Sequence, residues 1–313
     1  MAEKRNRTVK GFLMMMSMGL LILLAACGND ASSANSEQDG KSDWPEKIAL
    51  GVLPGEEEGE MSRGNQILAD DLSEALGIEV ELFVGDDYNA VIEAMRSKKI
   101  DIASFGPFSY IIAAERSNAV PFAVKARSTE EAFYNSWIIV PDESEVETLE
   151  ELEGKSILFA DPASTSGHLF PRMLFVKELG IPNDEIENFF GSVAFSGSHD
   201  NSALAIAAGD ADAAGVCSSC IQRAIDGGLL KESDFRIIKE SDPIPSSPLT
   251  YREDLPDSLV EEIKEFIYNY DNQEFFDHSD DAEARYLEID DSHYQVIRDT
   301  AEALNMSPEE LLK

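Results

Sequence analysis

Three consecutive hydroxyl residues, Ser164, Thr165 and Ser166, stand where a strand hands over to a helix in the stretch SILFADPASTSGHLFP, residues 156–171. Residues 156–160 read as a short buried strand, and Asp161-Pro162 breaks it, because proline has no N–H to give a ladder. Leu169, Met173, Leu174 and Val176 then supply the buried face of a helix. Such a helix start presents N–H groups without intrahelical acceptors and a partial positive charge, and the hydroxyls add further donors. A tetrahedral oxyanion suits that chemistry. An ordinary N-cap with spare serines uses the same residues, and both readings stand at this point.

A serine with a histidine elsewhere also invites a hydrolase, with Ser164 or Ser166 as nucleophile and His199 as base. Against it, the chain holds no G-x-S-x-G elbow, and its four histidines form no metal-ligand cluster. Neither catalysis nor a metal or cofactor is therefore expected. The acid run GEEEGE at 55–60 reads as part of a solvated coat.

The leader sets the compartment. Lys4, Arg5, Arg7 and Lys10 form a positive segment, residues 12–24 an apolar run of 13, and Leu24-Ala25-Ala26-Cys27 closes it with small residues before a cysteine. That ending resembles a bacterial lipobox, which implies cleavage after residue 26 and a diacylglycerol on Cys27. The run is shorter than the roughly 20 residues that span a bilayer, so a plain transmembrane anchor is the poorer reading. Without residues 1–26 the chain carries 21 basic against 60 acidic residues, a formal net charge of −39. Nucleic acid and anionic membrane surfaces are excluded as partners by that charge. With Cys27 lipidated, Cys217 and Cys220 remain as a CSSC pair in an oxidising compartment, read as a surface disulfide in preference to two free thiols.

Behind these residues the chain alternates. Residues 27–43 are a small, polar tether, and folded structure is expected from Trp44. Strands are predicted at 47–53, 79–84, 100–105, 120–125, 136–140, 156–160, 193–195, 211–216 and 235–239. Helices are predicted at 65–76, 88–97, 108–115, 201–208, 258–268, 294–304 and 308–312. This is an α/β pattern with at least partly parallel sheets. Connections near 133–140 and in the proline-rich 241–249 divide it into one lobe of 44–135 with 247–313 and a second of 136–246, with a ligand cleft between them.

Five stretches, DIASFGPFSY at 101–110, DPASTSGH at 161–168, FSGSHDN at 195–201, AGDADAAGV at 208–216 and PLTYREDLP at 248–256, together resemble the substrate-binding proteins of bacterial phosphonate, phosphite and phosphate ABC importers. The resemblance implies a type II periplasmic-binding-protein fold, two α/β lobes joined by two crossover strands. It further implies a monomeric, lipid-anchored protein on the extracytoplasmic face, a Gram-positive surface being preferred to a periplasm, that hands a small phosphorus oxyanion to a membrane permease. Position by position, Ser164, Thr165 and Ser166 match the hydroxyls that receive the phosphorus-bound oxygens. Tyr110 matches a cleft tyrosine of the other lobe, and His199 a histidine that would reach the same oxygens as a protonated, positive donor. Asp212 matches an acid that faces the ligand in some members, and Tyr134 and His168 lie beside cleft segments. Tyr110 in the core, His199 as a bystander to a cap at Ser198 or Asp200, and Asp212 as a structural strand-edge acid are the open alternatives. A sensor partner of a membrane receptor or a binder of another small oxyanion would use the same fold.

Overall fold

The computed structural model describes residues 41–54, 59–279, 281–306 and 308. The leader, Cys27, nearly all of the tether, most of the 55–60 acid run and nearly all of the expected 308–312 helix lie outside the described residues.

The chain begins with β1 (Lys47–Val52), α1 (Gly59–Leu76), β2 (Glu79–Val84), α2 (Tyr88–Arg96), β3 (Ile102–Ser104), α3 (Pro107–Ser117) and β4 (Ala119–Ala126). Local chemistry places the boundaries. The Asp87 carboxylate accepts the Ala90 N–H at 2.6 Å to start α2, and Pro107 follows Gly106 to start α3. A two-residue strand, β5 (Phe133–Tyr134), leads into β6 (Ser136–Pro141), β7 (Ser156–Phe159), a π-turn over Thr165–Leu169, α4 (Phe170–Leu179), α5 (Ile186–Phe189), β8 (Ser192–Phe195), α6 (His199–Ala208), β9 (Ala213–Cys217), α7 (Ser218–Asp226) and β10 (Phe235–Glu240). The return runs through β11 (Ile244–Pro245) to β12 (Pro248–Arg252), α8 (Asp257–Tyr268), α9 (Gln273–Asp277), β13 (Arg285–Glu288) and α10 (Gln295–Ala303).

Two larger sheets result, ordered β13-β4-β12-β3-β1-β2 and β10-β6-β9-β7-β8, with β5 and β11 pairing antiparallel between them. In the first, β1 is flanked in parallel by β2 and β3; in the second, β7 is flanked in parallel by β8 and β9. Each sheet then takes an antiparallel strand delivered by a crossover, β12 beside β3 and β6 beside β9. The expected two-lobed α/β architecture is thus present, with β5 and β11 as its paired connections.

Packing departs from a full separation of the lobes. Ile111 and Ile112 of α3, Leu169 and Phe170 after the hydroxyl run, and Tyr294, Ile297 and Leu304 around α10 belong to one apolar cluster that spans both lobes. The Asn183 side-chain amide also donates to the Leu304 carbonyl at 2.8 Å. The outer faces have their own cores, one under α1, α8 and α9 and two on the faces of the second sheet. β13 and α9, unread in the sequence, complete the edge of the first sheet and the layer that covers it.

Candidate functional site

The parallel strands of both sheets run their carboxyl ends toward a shared cleft, the usual place for ligands in open α/β sheets. A cavity of about 360 Å³ lies there. From the first lobe it is lined by the ends of β1 and β3, Tyr88 and Gly106; from the second by Ser164, Thr165, Ser166, His199, Cys217 and Arg223.

Ser164 is the cap of the π-turn, its Oγ accepting the Gly167 N–H at 3.1 Å, and Ser164, Thr165 and Ser166 are at most 2% exposed. The wider π-turn closes with the Leu169 N–H donating to the Ser164 carbonyl at 3.1 Å. Its first turn has N–H groups with no carbonyl behind them in the helix. The turn is held from three sides: the Ala160 N–H donates to the Gly167 carbonyl at 3.0 Å, the Ser136 hydroxyl to the Ser166 carbonyl at 2.6 Å, and from the opposite lobe the Phe108 N–H to Thr165 Oγ1 at 2.8 Å. Gly167 is required here, because a Cβ would come within 2.4 Å of Ala160 Cβ and 2.9 Å of His199 Cε1.

His199 opens α6, behind Ser198, whose Oγ accepts the Asn201 N–H at 3.1 Å and is the cap. His199 is no bystander, since its Nε2 lies 3.4 Å from Ser164 Oγ and its Nδ1 accepts the Cys217 N–H at 3.2 Å. An N–H donated to Nδ1 leaves the proton on Nε2, so the ring is neutral and offers Nε2–H to the cleft. Burial against the wall, and secondarily the Arg223 guanidinium, push its pKa down to about 3. The expected positive donor is therefore a neutral one. Replacing His199 by Gln should weaken anion binding by the same factor at pH 6 and pH 8; a larger loss at pH 6 in calorimetric titrations would restore the charged histidine. His168 is likewise pushed down to about 4 by burial, its Nδ1 facing the Pro162 carbonyl at 2.9 Å between Phe159 and Phe195. For both rings the folded pKa lies below the ordinary value of 6.5. The stability they contribute is complete above that value and is lost as the pH falls below it, because the unfolded chain takes up the protons first.

Two expected ligand residues lie elsewhere. Tyr110 is 1% exposed in the first-lobe core, its hydroxyl donating to Asp291 and its ring packed edge-on against Tyr294 at 5.0 Å. Its position on α3 points it inward, away from the cleft. Asp212 stands at the amino end of β9, the edge opposite the cleft, where its Oδ2 accepts the Ser156 N–H at 2.8 Å and the Ser156 hydroxyl at 2.7 Å. These bonds, the backbone one foremost, hold its carboxyl below the usual range. Asp212→Asn should leave ligand affinity unchanged while lowering the melting temperature at neutral pH, and by less as the pH falls through the depressed pKa. An affinity loss in that variant would return Asp212 to the site.

Tyr134 was expected beside a cleft segment and lies there, whereas Arg223, Lys125 and Arg127 escaped the sequence reading. Tyr134, on β5, faces the cavity; burial foremost raises its pKa to about 12, opposed by hydrogen bonding with the Ser166 and Thr165 hydroxyls. Its place on a connection between lobes was the signal available. Arg223 lines the wall one helical turn beyond Cys220, and Lys125 and Arg127 line the first-lobe side, where Arg127 pairs with Asp281. Glu131 and Asp281 line the same cavity, so its charged side chains are of both signs. Cys217 and Cys220 are bonded to each other, and the pair belongs to the cleft wall, Cys217 being 5% exposed, not to the outer surface. Among the described residues no group of His, Cys, Asp and Glu side chains is arranged to hold a metal, and no helix is long and apolar enough to cross a membrane.

Known proteins resemble this chain in sequence and fold. The phosphate-import protein PhnD of Mycolicibacterium smegmatis is 27% identical over 276 residues, 86% of this chain and 85% of that protein. The phosphonates-binding periplasmic protein of Escherichia coli is 28% identical over 244 residues, 76% of this chain and 69% of that protein. In fold, the chain superposes with a TM-score of 0.74 and 20% identity on PhnD1 from Prochlorococcus marinus in complex with methylphosphonate, covering 84% of this chain and 99% of that one. A binding protein component of an ABC phosphonate transporter from Pseudomonas aeruginosa gives 0.76 at 24% identity, covering 84% and 87%. Residues 50–294 match the family described as ABC transporter, phosphonate, periplasmic substrate-binding protein. With a match across most of the described fold, the chain belongs to the phosphonate substrate-binding proteins of ABC transporters.

Proposed function

We propose that this chain captures phosphate, phosphite or a small phosphonate in its cleft and delivers it to the permease of an ABC importer. The observation that carries the reading is the buried Ser164–Thr165–Ser166 turn with the Nε2–H of His199 beside it, a set of fixed neutral donors suited to the oxygens of a phosphorus oxyanion. Donors from the first lobe, with Tyr134 on the connection, reach the ligand as the cleft closes. We assign 44–135 with 247–313 to one lobe and 136–246 to the other. Full-length protein titrated calorimetrically with phosphate, phosphite and methylphosphonate should give saturable one-to-one heats for at least one of them; no binding of any would overturn the reading.

A hydrolase is disfavoured by the same geometry. Ser164 and His199 approach at 3.4 Å, but Nε2 carries the proton and has no free lone pair with which to act as base. Binding without product is the expected outcome. The protein acts as a lipid-anchored monomer on the extracytoplasmic face, of a Gram-positive surface in preference to a periplasm, a reading supported by Leu24-Ala25-Ala26-Cys27. Cys27→Ser should leave an unprocessed precursor or release protein into the medium, and normal processing with unchanged membrane retention would refute the anchor.

A further inference from the structure

We propose that the Cys217–Cys220 disulfide is a positioning element of the anion site, acting through His199. The inference rests on the phosphorus-anion reading of the cleft. β9 ends at Cys217, and the N–H of this last strand residue goes to His199 Nδ1 at 3.2 Å. That bond selects the ring tautomer whose Nε2–H faces Ser164. Cys217 is also the cap of α7, its Sγ accepting the Cys220 N–H at 3.1 Å, and the bridge closes this first turn with the two Cα atoms 5.2 Å apart. Ser218 in turn grips the connection between the lobes: its N–H donates to the Asn135 carbonyl at 2.9 Å, and its Oγ accepts the Asn135 N–H at 3.0 Å.

Residues 217–220 therefore join the histidine, the connection and the cleft wall in one covalently closed turn. A hydrogen bond to an imidazole nitrogen weakens steeply with misalignment. With the bridge open, only the pairing of Cys217 with Ser136 and the Ser218–Asn135 bonds align the Cys217 N–H on Nδ1, so the bond loosens and the ring samples the tautomer whose Nε2 lone pair would face the oxyanion. The ligand then loses a donor and meets a repulsive group in the same place.

The test uses the full chain with Cys27→Ser in detergent, so that the bridge holds the two remaining cysteines. Methylphosphonate and phosphate are titrated before and after dithiothreitol, which is oxidised to its cyclic disulfide as the bridge is reduced to two thiols. Reduction should weaken binding about tenfold, the range for losing one hydrogen bond to a charged group. Cys217→Ser with Cys220→Ser should do the same, and in a His199→Ala background reduction should have no effect. Imidazole ¹⁵N spectra should report the Nε2–H tautomer of His199 in the oxidised protein and a mixture after reduction. If the serine variant fails to fold, the reduced protein, verified folded by its melting curve, decides the matter. No binding by the oxidised protein would sink the phosphorus-anion reading and this proposal with it. Normal binding that is indifferent to reduction, or an equal loss in the His199→Ala background, would overturn the positioning role alone.

Discussion

Gly167→Ala is expected to lower anion affinity on the order of a hundredfold. The added carbon would lie 2.4 Å from Ala160 Cβ, 2.8 Å from Ser164 Oγ and 2.9 Å from His199 Cε1. Two of these neighbours are the proposed ligand donors, and the third cannot yield freely, because the Ala160 N–H is bonded to the Gly167 carbonyl and the Ala160 carbonyl accepts the Gly197 N–H at 2.8 Å. Relief must come from moving the hydroxyl turn or the histidine. Overpacking of this kind costs about 1–3 kcal/mol, so the melting temperature should fall by several degrees while the protein stays folded at 25 °C. Calorimetric titration beside a thermal melt checks both parts; affinity within a few-fold of the parent would mean that the turn is not the anion site.

The second large effect belongs to Thr165. Valine keeps the shape of the side chain and removes the hydroxyl, which should cost about 1.5–3 kcal/mol in a hydrogen bond to an anion, roughly ten- to a hundredfold in affinity. The same hydroxyl accepts the Phe108 N–H across the cleft at 2.8 Å, so the variant also leaves a buried N–H without its acceptor and destabilises the closed arrangement. Thr165→Ser separates hydroxyl from methyl and should bind within a few-fold of the parent. If the valine variant binds phosphate, phosphite and methylphosphonate as tightly as the parent, Thr165 takes no part in the site.

Much of this was legible in the residues, and the exceptions share a cause. Alternating apolar runs and turn residues located most strands and helices, and Asp161-Pro162 before three hydroxyls marked the end of β7 and the capped turn that follows it. What local pattern could not carry was which way a side chain faces once elements pack. Tyr110 and Tyr134 are both tyrosines beside a turn, and only the docking of α3 onto α10 sends the first inward to Asp291. Asp212 sits in a glycine- and alanine-rich run that reads as cleft, yet it precedes β9, so the parallel sheet puts it at the opposite edge from the ligand. The protonation of His199 depends on the N–H of a residue 18 positions away. β13 is four residues long, and α9 carries its two phenylalanines among acids, so neither had a period to announce it.

The apolar cluster shared by the two lobes bears on how the chain comes apart. Two lobes with separate cores would melt in two steps, but Leu169 and Phe170 of one are packed in the same cluster as Ile111, Tyr294 and Ile297 of the other. Disrupting either side exposes the shared surface, so the chain is expected to melt as one cooperative unit, with calorimetric and van't Hoff enthalpies in agreement. Bound anion then raises a single transition by mass action, by about 2.7 kcal/mol at a free concentration a hundred times the dissociation constant. A melting curve alone thus reports the occupancy of the cleft.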